Sequence, residues 1–128
     1  MAEVRDAYPL LQKQWDGKAL RLTRPGRRGW PDFLLIDTAL GRVAFAEDKA
    51  GRTLDQCSRG VTMGQRIELE SLASYHLQAG LLALIEDDRP HWVWQRAPFT
   101  THKPLVSLIC NPVLIWGDPA SGLTAGAG

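Results

Sequence analysis

Asp32, Glu47 and Lys49 are the residues of this sequence whose types and spacing could hydrolyse a phosphodiester. Asp32 stands just before an apolar run, Phe33-Leu34-Leu35-Ile36, and Glu47 and Lys49 follow a second, Val43-Ala44-Phe45-Ala46. Side chains alternate along a strand, so Glu47 and Lys49 share a face. A short connection between the two runs makes them an antiparallel hairpin and brings residue 32 alongside the 47–49 end. A pair of carboxylates can hold Mg²⁺ while leaving positions for water and a phosphate oxygen. The bound metal makes hydroxide available near neutral pH. A lysine beside that water orients it and meets developing negative charge. The same residues also fit a plainer role, a surface ion pair at a strand end worth under about 1 kcal/mol.

Beside this trio lies a basic cluster. Arg21, Arg24, Arg27 and Arg28 fall within eight positions with no acid among them. The net charge is only +1, from 15 basic and 14 acidic residues. It divides unevenly: residues 1–60 hold 11 Lys/Arg and 8 Asp/Glu, whereas residues 61–128 hold 4 and 6. A local cluster in a near-neutral chain fits a confined anionic contact, such as the phosphates flanking a scissile bond, and equally a solvated arginine loop.

The elements that must position these groups follow from periodicity. Val4, Tyr8, Leu11 and Trp15 mark one helix face. Pro9 is tolerated only in a first turn, which places the start near Asp6 as N-cap. Ala19 to Thr23 reads as a short strand, and Arg24 to Gly29 as loop. Phe33–Asp37 and Val43–Glu47 form the hairpin, with Gly41 as the positive-φ turn residue. Gly51 to Gly64 is polar and irregular, which fits a mobile loop over a substrate and equally a segment disordered without one. Thr62 and Gln65 have capping-box spacing, and Leu69, Leu72, Ala73, His76 and Ala79 continue at helical steps to Gly80 as the C′ residue. On that face His76 reads as a core or interface histidine. Leu81–Ile85 and His91–Gln95 are strands, with Trp92 and Trp94 on one side of the second. Leu105–Cys110 and Val113–Trp116 read as short edge strands, and Asp118–Gly128 as a frayed Gly/Ala-rich tail. The order predicts an α/β fold, helices flanking a small mixed β-sheet.

Composition narrows the function classes. A chain of 128 residues, 45% hydrophobic and 23% charged, is of one-domain size and neither disordered nor a coiled coil. No apolar run approaches the roughly 20 residues of a membrane span, and the charged N-terminus carries no secretory pattern. A cytoplasmic location without membrane contact is the resulting expectation. Cys57 and Cys110 have no Cys or His at zinc-ligand spacing, which leaves them as ordinary reduced thiols. His91 and His102 lack ligand partners, and Ser58 and Ser107 lack triad partners.

Gly29-Trp30-Pro31-Asp32, followed fifteen positions on by Glu47-Asp48-Lys49, resembles the PD-(D/E)XK nuclease signature. More narrowly it resembles the VRR-NUC group (virus-type replication and repair nucleases) and the Holliday junction resolvases. The basic loop, Gln65 and Gly80 extend the likeness over roughly residues 3 to 95. The resemblance implies a restriction-endonuclease-like fold over residues 1–117 and a Mg²⁺- or Mn²⁺-dependent endonuclease, with roles in DNA repair and recombination. It implies Asp32 and Glu47 as metal ligands, joined by the backbone carbonyl of Asp48, with Lys49 as the catalytic lysine and Gln65 in support. Gln65 fits its capping-box role equally well. Glu3 matches the family's N-terminal glutamate, sometimes near the metal, although the Pro9 argument starts the helix after it. Arg24, Arg27, Arg28 and Arg52 would contact DNA. Branched DNA as substrate, a homodimer with paired sites and a prokaryotic or viral source are further expectations. The rival readings are a catalytically silent nucleic-acid-binding module on the same fold and a subunit of a replication or repair assembly.

Overall fold

The computed structural model describes residues 4–22, 31–99, 101–105 and 111–117, with the backbone alone for 4–8 and 101–105. The elements run α1 (Val4–Gln14), β1 (Lys18–Arg21), β2 (Phe33–Asp37), β3 (Arg42–Gly51), α2 (Leu54–Arg59), α3 (Met63–Ser74), β4 (Gln78–Ile85), β5 (His91–Arg96), β6 (Thr101–Leu105) and α4 (Pro112–Trp116). The chain is α/β, an open mixed sheet flanked by helices. The six strands lie in sequence order, with β3 and β4 parallel and the other neighbouring pairs antiparallel. Parallel neighbours need a crossover, and α2 and α3 supply it.

The hairpin forms as the two apolar runs require, with Phe33 opposite Ala46 and Asp37 opposite Arg42. Gly41 takes φ 65° in its turn. The Asp37 carboxylate closes the turn by accepting from the backbone N–H of Ala39 and from Arg42 Nη2 at 2.7 Å. Arg42 also stacks on the Trp116 ring, which ties α4 to the hairpin.

Alternation divides the core between the two faces of the sheet. On one face Leu11 and Trp15 of α1 and Leu114 and Ile115 of α4 pack with Phe33, Leu35, Ala44, Ala46, Ala50, Leu82, Trp92 and Trp94. On the other, Cys57 and Val61 pack with Leu81, Ala83 and Val93, and Leu69 of α3 packs with Ala79 and Ala97. Trp92 and Trp94 share this face, as their spacing predicts, and both belong to the core.

Several expectations are corrected. Helix α1 includes Val4, so Pro9 sits in its second turn, where it forgoes the bond to the carbonyl of Arg5. Packing of Leu11 and Trp15 outweighs that loss. The 51–64 stretch is not an irregular loop: it contains α2, capped by Thr53 Oγ1 accepting from Gln56 N. Helix α3 stops at Ser74, and His76 is exposed with φ 65° rather than packed on a helix face. Val113 to Trp116 is helical, with Asn111 as N-cap and Pro112 at the first position, where proline is at home. Thr23, the Arg24–Gly29 loop, residues 106–110 and the 118–128 tail lie outside the described residues.

Gly80 is not a helix terminus but a strand residue. A Cβ there would lie 2.4 Å from the Gln95 carbonyl oxygen and 2.9 Å from Arg96 Cα. Gly80→Ala is expected to cost about 1–3 kcal/mol through the forced retreat of β5. Urea unfolding reads this as a lower midpoint at constant slope; an unchanged midpoint would show that β5 has room to give.

Among the described residues, no helix is long and apolar enough to cross a membrane.

Candidate functional site

Strand β3 runs past its predicted end at Ala46-Glu47, through Lys49 to Gly51, so Glu47 and Lys49 sit inside a strand that β4 pairs along this whole stretch. That rigidity comes from the parallel partner, which the hairpin pattern does not reveal. One step beyond the Phe33–Ala46 pair, Asp32 stands opposite Glu47 on the face covered by α2 and α3. Leu22 N donates to the Asp32 carbonyl at 2.7 Å, which anchors Asp32 to the end of β1. Its carboxylate faces β3, where Asp48 N lies 3.4 Å from Asp32 Oδ2.

Glu47 is the centre of the cluster. It has no solvent exposure. Its Oε2 accepts from Gln65 Nε2 at 3.0 Å and lies 3.5 Å from Lys49 Nζ. Its Oε1 is buried without a hydrogen-bond partner. Burial pushes this carboxyl up to about 9, and the hydrogen bond and charge of Asp32 push it the same way, against the opposing pull of Lys49. Without a bound cation, Glu47 therefore keeps its proton at neutral pH.

Gln65 takes both roles that its sequence position allows. Gln65 Oε1 accepts from Thr62 N at 2.8 Å, and Gln65 N donates to Thr62 Oγ1 at 3.2 Å, which completes the capping box. The other end of the same amide reaches Glu47.

The Asp48 side chain lies apart from the cluster, as strand alternation requires. It points to the opposite face, among the α1-side core, and both carboxylate oxygens are buried without partners. Burial pushes this carboxyl well above its usual range, and the charge of Asp32 pushes it further. Only its backbone is placed to serve the site.

Arg52 lies just past β3 and is exposed, its N–H donating to Gln56 Oε1. Glu3, Arg24, Arg27 and Arg28 fall outside the described residues. Cys57 packs beneath Gly51, and burial pushes its thiol up to about 11, as the charges of Asp48 and Glu86 also do. It is therefore an inert core thiol at neutral pH. His91 lies against Asp87 and the Arg89 carbonyl, away from the trio.

Among the described residues no three His, Cys, Asp or Glu side chains converge as a metal-holding group. The pair Asp32 and Glu47 still suits a hard cation. Glu47 Oε1 accepts from no donor and can turn its lone pair to a cation, and Mg²⁺ keeps several waters and needs one or two carboxylates. Comparison with family models, with curated proteins and with solved structures returned no match.

Proposed function

We propose that the chain is a Mg²⁺- or Mn²⁺-dependent endodeoxyribonuclease of the restriction-endonuclease-like fold. The observation that carries this reading is the convergence of Asp32, Glu47, Lys49 and Gln65 on one sheet face, with a buried Glu47 oxygen left without a partner. Asp32, Glu47 and the Asp48 carbonyl would hold the ion, which when bound makes hydroxide available and offsets phosphate charge. Lys49 Nζ stands beside Glu47, where it can hold the attacking water and meet the negative charge that grows on the phosphate oxygens. Water supplies the new oxygen on phosphorus, one bridging P–O bond breaks, and the leaving oxygen takes up a proton. Gln65 keeps Glu47 in place. Arg52, with Arg24, Arg27 and Arg28 of the basic loop, would carry the flanking phosphates. Branched DNA as substrate, a homodimer and a place in repair or recombination rest on the resemblance of residues 3 to 95 described above.

The full burial of Glu47 favours one rival, a nucleic-acid-binding module without turnover. Cleavage of a labelled four-way junction, beside linear duplex, flap and single-stranded DNA, separates the two. Each is run with Mg²⁺, Mn²⁺ or EDTA. Metal-dependent nicks that vanish in Lys49→Ala and Asp32→Ala are expected. Symmetric nicks in the junction would identify a resolvase-type dimer. Cutting of flaps or single strands would keep the chemistry and change the substrate. Tight, salt-sensitive binding with no product in any metal would establish the binding module instead.

A further inference from the structure

We infer that Thr62 is a positioning residue of this site, its backbone N–H fixing the Gln65 amide in the orientation that directs a donor at Glu47 Oε2 and leaves Glu47 Oε1 free for a cation. The cation part of this rests on the nuclease reading; the positioning part does not.

A backbone N–H can only donate, so the Gln65 atom 2.8 Å from Thr62 N must be the amide oxygen. The amide nitrogen lies 3.0 Å from Glu47 Oε2. A carboxylate at position 65 would satisfy the same helix cap, since Glu and Gln serve a capping box equally. Only an amide can accept from Thr62 and donate to Glu47 at once. The cap at the start of α3 is thus also the outer support of the β3 carboxylate. It selects which Glu47 oxygen is occupied, by Gln65 with Lys49 nearby, and which remains without a partner. The two hydrogen bonds of Thr62 are separable. Its Oγ1 holds the Gln65 backbone and caps the helix, whereas its N–H holds the Gln65 side chain.

Thr62 has φ −71°, a value proline adopts without strain. Thr62→Ala removes the hydroxyl and keeps the N–H. Thr62→Pro removes both and puts a ring carbon in place of the amide hydrogen that faces Gln65 Oε1. The difference between the two variants reads the loss of the N–H together with the added ring, and the α-hydroxy acid analogue of threonine at this position reads the N–H alone. The first readout is metal-free: the side-chain amide signals of Gln65 in ¹⁵N-edited spectra of the full chain, assigned by their loss in Gln65→Leu. They are expected away from the free-glutamine position in the wild type and in Thr62→Ala, and at that position in Thr62→Pro. The second readout is Mn²⁺ affinity by titration of the free ion, expected to fall about 10-fold or more from Thr62→Ala to Thr62→Pro, as loss of an outer-shell support does. Should Thr62→Pro fail to fold, the α-hydroxy acid analogue of threonine at position 62 removes the same N–H with no ring.

Amide signals unmoved by loss of the N–H, or already at the free position in the wild type, would overturn the inference. A fixed amide released by Thr62→Pro in a chain that binds no Mn²⁺ would uphold the positioning and remove the nuclease reading.

Discussion

Glu47→Gln is expected to raise the melting temperature of the metal-free chain at pH 8 and to abolish metal-dependent cleavage. The two effects have one origin. Burial, reinforced by Asp32, lifts the Glu47 carboxyl from 4.5 to about 9 in the folded chain. Between those values the folded state holds a proton that the unfolded state has released. Stability therefore falls as pH rises through this window. A tenfold difference in proton affinity between the two states is worth about 1.4 kcal/mol, so the loss across the window reaches a few kcal/mol. Glutamine has no proton to lose, and its oxygen can still accept from Gln65 Nε2. The Asp48 carboxyl is pushed the same way on the opposite face, so the variant flattens the pH profile without levelling it. Thermal melts in EDTA at pH 5, 7 and 9 measure this. A wild-type chain that gains stability from pH 5 to pH 9 would refute the argument. Cleavage should fall by more than about 100-fold, since loss of a mere outer-shell support already costs 10–100-fold. The site is thus built at the expense of the fold that carries it.

Trp92→Ala is expected to be the most damaging truncation in the core. Trp92 is completely buried, lies opposite Leu84 on β4, and donates from its indole to Gln14 Oε1 at 3.0 Å. It joins the sheet to α1 by packing and by that bond together. Removing an aromatic side chain of this kind costs about 3–5 kcal/mol, out of a total stability of about 5–15 kcal/mol. The Gln14 acceptor loses its partner as well. Urea unfolding of the variant should show the midpoint falling steeply; a loss below about 1 kcal/mol would mean that the cavity collapses and that α1 is held by other contacts.

The hairpin was legible because its signals are local. An apolar run of strand length, a turn glycine and a second run place β2 to the residue and bring Asp32 to Glu47. The Thr62–Gln65 cap was legible for the same reason. The parts that escaped depend on partners distant in sequence. Leu69, Leu72, Ala73, His76 and Ala79 look like one helix face, yet Ala79 belongs to β4, where it pairs with Phe45. The pattern spans two elements because both bury residues on the same side of the sheet. Helix α2 has six residues, too few for a periodicity to declare itself. Val113-Leu114-Ile115 reads as a strand by propensity, and the Asn111-Pro112 start signal outweighs it. At the site, alternation alone sends the Asp48 side chain away from Glu47 and Lys49; its complete burial without partners depends on packing against distant elements and was not legible.

The alternation of β3 also makes the strand hard to misassemble. Ala44, Ala46 and Ala50 line the face beneath α1, where small side chains allow close approach. Val43, Phe45, Glu47 and Lys49 line the other. A slip of one residue would drive Phe45 and the Lys49 ammonium under α1 and set the alanines on the face covered by α2 and α3, and neither exchange can be accommodated cheaply. Lys49 therefore doubles as a proofreading device for strand pairing. A single-residue insertion inside β3 would forfeit core and cluster together, whereas the 38–41 turn, outside both, can absorb one.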